Sequence, residues 1–146
     1  MLHSKPFLLF DGNCAEAMKF YHHCLGGELT LLKTGDSAMK ELFPPEKHDK
    51  IINAHLKSGN IEFSATDWHA DNVLPKKGNM FSLFVIGDTF DELKTIFDKL
   101  SEGADRDERT FMELHELPFA IYGQFTDKYG VGWIFRKNKN GTESKK

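Results

Sequence analysis

The segment 7–30, FLLFDGNCAEAMKFYHHCLGGELT, places two histidines and two cysteines, common transition-metal ligands, on one predicted helix. His22 and His23 are adjacent, so they diverge by about 100° around the helix and cannot hold one ion from one face. Cys14 and Cys24 would lie roughly 15 Å apart, too far for a disulfide. Cys14 stands at the helix N-terminus, where the dipole lowers a thiol pKa, and is the more reactive candidate. Cys24 falls on the apolar face, as a small core residue.

Histidines and carboxylates later in the chain form a second candidate set. His55, Glu62, Glu113 and His115 could together supply a metal site or an acid–base pair, since imidazole and carboxylate groups serve both chemistries. Nothing in their spacing requires them to meet. His55 alternates with polar neighbours along a predicted strand, so we expect it to be exposed or to lie at the rim of the ligand-binding surface.

The predicted helix that carries the two adjacent histidines and the two cysteines has recognisable start and end signals in the sequence. Asn13 is a favourable N-cap, and Glu16 stands at the third helical position, which is a capping-box arrangement. Gly26 and Gly27 end the helix, because glycine accepts the left-handed backbone of a C-terminal cap. Apolar residues at helical spacing form its predicted buried face: Ala17, Phe20, Tyr21 and Cys24.

The same pattern returns 76 residues later, in the segment 82–103, SLFVIGDTFDELKTIFDKLSEG. Thr89 takes the N-cap position, Glu92 completes a capping box, and Gly103 ends the helix. Individual residues differ between the two copies, but the caps, the apolar faces and the helix ends coincide. The chain therefore contains an internal repeat.

Each predicted helix is preceded by one strand and followed by three, which defines modules at about 5–67 and 80–136 within a single domain, 1–146. A basic tail, 137–146, follows. The predicted fold class is α+β, with two strand-helix-three-strand modules. Strongly twisted four-stranded sheets curl, so we expect the curved mixed sheets to form a cup. Concave apolar surfaces are where small ligands bind.

Composition and charge favour a soluble cytoplasmic protein. The chain is 40 % hydrophobic, but no run approaches the ~18 apolar residues of a membrane span. Net charge is +4 over residues 136–146 and −7 over the remainder, and an acidic body argues against nucleic acid as a partner. The N-terminus is too short and too polar for a signal peptide, and unpaired cysteines fit the cytoplasm.

Two segments resemble the PhnB-like branch of the vicinal oxygen chelate superfamily, which includes glyoxalase I, bleomycin-resistance proteins and dioxygenases. The segments are PFLLFDGNCAEAMKFYHHCLGGELT near the N-terminus and FTDKYGVGWIF near the C-terminus. The resemblance spans roughly residues 5–136, and its motifs are specific for the fold and the branch but weak for any reaction. It implies a glyoxalase/bleomycin-resistance-like fold and a homodimer.

Enzymes of this superfamily bind one divalent metal through one position on each of four strands. Carried onto this chain, the positions fall on Pro6, Ser82, Ile134 and a site at 61–63 where only Glu62 could ligate. Proline and isoleucine carry no donor and serine is a poor one, so we predict no metal site. A methyl donor would need a glycine-rich loop after a strand, and the sequence has none, so no cofactor is predicted.

The ligand positions of relatives point inward, which predicts a mainly apolar lining for the cup. The predicted ligand pocket consists of Leu8, Phe10, Glu62, Phe63, Ser82, Phe84, Trp133 and Ile134. We therefore predict metal-free binding of a small organic molecule. Two alternatives stay open: a metal-dependent lyase, isomerase or dioxygenase using His55, Glu62 and His115, and a non-catalytic structural or regulatory dimer whose cup is filled by side chains.

Overall fold

The computed structural model describes residues 1–72 and 74–138, so all but the first two residues of the predicted tail lie outside the described part. The chain divides into two compact units, Met1–Lys76 and Lys77–Lys146. Each unit contains one strand, one helix and then three strands, which confirms the predicted α+β fold class. That both modules form a single domain stays a prediction.

The first unit is a mixed four-stranded sheet with one helix against it. Its strands lie in the order β1-β4-β3-β2, with β1 parallel to β4 and the other neighbours antiparallel. The helix α1 packs against β2, β3 and β4. The elements are β1 (Phe7–Phe10), α1 (Cys14–Leu25), β2 (Glu28–Lys33), β3 (Ile51–Ser58) and β4 (Ile61–Asp67).

The second unit repeats this topology. Its sheet order is β5-β8-β7-β6, again with only the first pair parallel, and α2 packs against β5, β6 and β8. The elements are β5 (Ser82–Gly87), α2 (Phe90–Leu100), β6 (Met112–Leu117), β7 (Ala120–Thr126) and β8 (Gly132–Lys137).

Aromatic side chains fill the space between each helix and its sheet. In the first unit Tyr21 of α1 meets Phe63 of β4 edge to face, with ring centroids 5.7 Å apart. In the second, Phe97 of α2 is fully buried and contacts Phe125 and Phe135 at 5.0 and 5.1 Å. Burying one such ring stabilises the fold by about 1.5–3 kcal/mol, so each unit has a core of its own.

The two helices begin in different ways. One half of the predicted capping box of α2 is present, since Thr89 Oγ1 accepts from the Glu92 amide at 3.2 Å. Glu92 Oε2 accepts at 2.9 Å from the amide of Asp88, one residue before the N-cap. Asn13 does precede α1, but its side chain caps nothing. The predicted side-chain cap on α1 is therefore wrong.

A distant residue caps α1 in place of Asn13. The buried carboxylate of Asp67, at the end of β4, accepts hydrogen bonds of 2.9 Å from the amides of Cys14 and Ile51. One carboxylate thus satisfies a buried amide of the helix N-terminus that has no partner within the helix, and another amide at the start of β3.

The glycine that was predicted to end α1 is held in place by two constraints. Gly27 has φ +81°, and a Cβ there would come within 2.3 Å of the Lys57 carbonyl oxygen. Only glycine fits this close approach of the helix exit to β3.

The segment between β2 and β3 contains three single 3₁₀ turns, at Thr34–Asp36, Lys40–Leu42 and Pro45–Lys47. In neither described part of the chain is a helix long and apolar enough to cross a membrane.

Candidate functional site

Each sheet has one face packed against its helix and one face without a helix, which we call the open face. On the second sheet Val85, Phe125 and Phe135 are buried on the helix side. The open face alternates with them and carries Ser82, Phe84, Ile86, Met112, His115, Tyr122, Gln124, Thr126, Gly132, Ile134 and Arg136.

The sequence-based orientation of β1 is wrong. Leu8 and Phe10 were expected on the open face, but they lie opposite Ala65 and Asp67, two buried residues on the helix side. Phe10 is itself only 5 % exposed. The exposed side chains of this strand are Phe7 and Leu9.

The error has a simple geometric cause. The helices repeat at an offset of 76 residues, as in the buried pair Tyr21 and Phe97, whereas the strands before them end 77 residues apart, at the buried pair Phe10 and Gly87. The second module has one residue fewer between strand and helix. Because side chains alternate along a strand, a shift of one residue exchanges the two faces.

Two further predicted pocket residues have their side chains in the cores. Phe63 is 1 % exposed and packs on α1 through Tyr21. Trp133 is also 1 % exposed, and its Nε1 donates to Asp127 Oδ2 at 2.8 Å. Of the four remaining predicted residues, Ser82, Phe84 and Ile134 lie on the open face of the second sheet, and Glu62 lies on the first sheet.

The candidate thiol does not have the properties of a nucleophile. Cys14 is fully buried, and burial, followed by the nearby charge of Asp67, raises the pKa of its thiol from 9.0 to about 12. The helix dipole that we expected to lower this pKa is outweighed by desolvation. Cys14 and Cys24 are both buried, and they form no disulfide with each other.

On the open face of the first sheet, Glu62 joins His55 and Lys5 in a charged cluster. Glu62 Oε2 lies 2.6 Å from His55 Nε2 and 2.9 Å from Lys5 Nζ. Hydrogen bonds from Lys5 and then His55 lower the pKa of the Glu62 carboxyl from 4.5 to about 2. His55 and Glu62, two members of the predicted set, therefore do meet.

The other members of that set have separate partners. His115 and Glu113 belong to β6 in the second unit, where His115 stacks on Tyr122 and Glu113 binds Lys94 at 3.0 Å. Among residues 1–72 and 74–138, no three His, Cys, Asp or Glu side chains come together in a way that could hold a metal. The four superfamily positions do not fit a metal either, because Glu62 alone carries a donor group of the usual kind and it is already bound by Lys5 and His55.

A pocket of about 200 Å³ lies where β5 and β8 begin and β7 ends. It contains three of the predicted pocket residues, Ser82, Trp133 and Ile134, but six of its twelve lining residues are polar, so it is less apolar than expected. Gly132 keeps it open, because a Cβ there would come within 2.6 Å of Ser82 Oγ. The lining consists of Gly78, Asn79, Phe81, Ser82, Arg109, Thr110, Gln124, Phe125, Thr126, Gly132, Trp133 and Ile134.

Next to this pocket three polar side chains form a row that the sequence analysis missed. The Arg136 guanidinium lies 4.1 Å from the centroid of the Tyr122 ring, and His115 stacks on the other side of that ring at 6.0 Å with an interplanar angle of 19°. The three residues are cross-strand neighbours on β8, β7 and β6. The alternation Gly132, Ile134, Arg136 was the signal that could have placed Arg136 on the open face.

These two units define a protein of the glyoxalase/bleomycin-resistance-like fold. A solved glyoxalase/bleomycin resistance protein/dioxygenase domain from Frankia sp. EAN1pec superposes with a TM-score of 0.61 at 16 % identity, over 97 % of this chain and 95 % of that one. A likeness at this identity shows the fold alone.

The family follows from closer comparisons. The model of the 3-demethylubiquinone-9 3-methyltransferase family matches residues 3–135, and the chain belongs to this family. It is similar to PA1353 from Pseudomonas aeruginosa, with 32 % identity, a TM-score of 0.78 and coverage of 96 % of this chain and 100 % of that one.

Two other relatives confirm the predicted PhnB-like branch. A putative 3-demethylubiquinone-9 3-methyltransferase, PhnB protein, from Bacillus cereus has 26 % identity and a TM-score of 0.68, over 94 % of this chain and 100 % of that one. Protein YjdN of Escherichia coli (strain K12) is 27 % identical over 142 residues, which is 88 % of this chain and 90 % of YjdN.

Proposed function

We propose that this protein binds a small organic molecule, without a metal, in the pocket at Ser82, Gln124 and Ile134 on the open face of the second sheet. The observation that carries the proposal is the pocket itself, about 200 Å³ in volume and bordered by both apolar and hydrogen-bonding side chains. Small-molecule sites combine an apolar wall with a few polar groups that orient the ligand.

The size of the pocket limits the ligand. A cavity of about 150 Å³ accommodates benzene, so about 200 Å³ suits a ligand of roughly ten non-hydrogen atoms. This pocket alone is too small for a nucleoside-containing methyl donor. We therefore do not propose the methyl transfer that the family's name describes. Phe84, 59 % exposed and directly opposite Ile134 on the neighbouring strand, extends the apolar surface beyond the pocket.

The test is a screen of single-ring fragments by ¹H–¹⁵N NMR. We expect fragments to shift the amide signals of Ser82, Gln124 and Ile134 in a saturable way. Ile134→Trp should abolish these shifts, because the larger ring fills the pocket. Thr30→Trp, on the open face of the first sheet, is the matched control and should leave them intact. If no fragment shifts the three amides at millimolar concentration, the proposal is wrong.

Metal-dependent chemistry is the competing candidate, and the 2.6 Å contact between His55 and Glu62 is the observation in its favour. The proposal of a metal-free site is preferred because Glu62 also binds Lys5, and no third donor joins this pair among the described residues. Elemental analysis separates the two. A stoichiometric metal in the purified protein, lost in His55→Ala, would favour the metal enzyme.

The proposed setting is a cytoplasmic homodimer. The free thiols of Cys14 and Cys24 support a reducing compartment. Exposed apolar side chains outside the pocket, such as Phe7 and Leu9, support self-association.

A further inference from the structure

We infer that the ligand of the proposed pocket is an organic anion whose carboxylate-like group pairs with Arg136. This inference rests on the proposed function and adds the chemical class of the ligand. The inference depends on the position of Arg136. On the open face of the second sheet, as far as its strands are described, Arg136 is the one permanently charged side chain.

The three arginines of the chain differ in their ion pairs. Arg109 forms a two-pronged ion pair with Asp107, at 3.0 and 2.6 Å, and Arg106 lies 4.0 Å from Glu113. Arg136 has no ion pair with any described residue. One of its N–H groups donates to the Phe135 carbonyl at 3.0 Å, which leaves the other donors available.

The surroundings of Arg136 favour binding of a planar anion. The Tyr122 ring, 4.1 Å away, orients the guanidinium plane, and an arginine stacked in this way presents its edge to a carboxylate. Ile86 is its neighbour on the other side, on β5. An apolar flank lowers the local dielectric constant and strengthens the pairing of opposite charges.

The distance between the pocket and Arg136 fits a single small molecule. Ile134 borders the pocket, and Arg136 follows two residues later on the same strand and the same face, about 7 Å along it. A ligand with its apolar body against Ile134 and Phe84 therefore reaches Arg136 with a terminal anionic group.

The experiment compares acids with their neutral amides by NMR titration. The probes are benzoate and benzamide, 3-phenylpropionate and 3-phenylpropionamide, and hexanoate and hexanamide. For at least one pair we expect the acid to bind about tenfold more tightly than the amide, because charge-assisted hydrogen bonds are the stronger ones. High salt should reduce this ratio.

Variants assign the effect to Arg136. In Arg136→Gln the ratio should fall to near one while the amide keeps its affinity, and Arg136→Lys should restore part of it. Arg106→Gln removes an equal charge away from the pocket and should keep the full ratio. Equal binding of acids and amides to the wild type overturns this inference and leaves the proposed function standing. Failure of all six probes to shift the amides of Ser82, Gln124 and Ile134 overturns this inference, and failure of every fragment in the screen overturns both.

Discussion

Glu62 is the point on the first sheet where the side chains of Lys5 and His55 converge. Lys5 precedes β1, and His55 lies on β3, so the cluster links three neighbouring segments through one carboxylate that is 19 % exposed. The sequence predicted a possible role for His55 and Glu62 but could not predict Lys5, because nothing in the residues before a strand shows where a flexible lysine ends. The cluster explains the low pKa of Glu62 without any ligand.

The low pKa of Glu62 predicts a definite pH dependence of stability. Folding lowers this pKa from 4.5 to about 2, so the ionised group stabilises the folded state above pH 4.5, and this contribution disappears as pH falls toward 2. We expect the difference in free energy of unfolding between the wild type and Glu62→Gln to shrink over that interval. Urea denaturation at a series of pH values measures it.

A matched variant makes the Glu62 experiment specific. Glu46 is exposed and has no ion pair in the described part of the chain, so Glu46→Gln should show no comparable change between pH 4.5 and 2. If Glu62→Gln and Glu46→Gln respond to pH in the same way, the cluster does not exist in solution.

At the scale of elements, periodic patterns predicted nearly every helix and strand, because burial on one face imposes a period that can be seen in the sequence. Three features could not be predicted from periodic patterns, because they depend on contacts between distant parts of the chain. The cap of α1 comes from Asp67, 53 residues beyond the amide it binds. The face of β1 depends on a difference of one residue between the strand-to-helix spacings of the two modules, and Arg136 meets Tyr122 only when β7 and β8 pair. Long-range pairing decides each case.

The two helix starts provide a controlled comparison of local and distant capping. Thr89→Ala removes the hydrogen bond to the Glu92 amide and should lower the free energy of unfolding by about 1 kcal/mol. Asn13→Ala removes a side chain that caps nothing, so the loss should be a few tenths of a kcal/mol at most. Chemical denaturation of both variants measures the difference.

Thr89→Ser preserves the hydroxyl and serves as the control for this comparison. Its stability should stay close to that of the wild type, because serine caps about as well as threonine. Equal losses in Thr89→Ala and Asn13→Ala would contradict the assignment of caps.

At the scale of the whole molecule, the repeat accounts for two sheets of identical topology with different open faces. The first carries the charged cluster around Glu62, and the second carries the pocket and Arg136. The family model matches residues 3–135 and the likeness to PA1353 covers 96 % of this chain, so both comparisons include both units. Two short sequence motifs predicted the family. The side chains that share each open face could be identified only from the structure.

The distribution of exposed apolar residues predicts a dimer. Phe7 and Leu9 are 59 % and 49 % exposed on β1, an edge strand of the first sheet, and exposed apolar edges favour self-association. Sedimentation equilibrium at micromolar concentration should give about twice the 16.7 kDa chain mass. Leu9→Lys should shift the equilibrium toward the monomer. Fragments should still bind near Ile134, because the proposed pocket lies on the second sheet. A wild type that stays at 16.7 kDa at every concentration would show that these side chains remain in water.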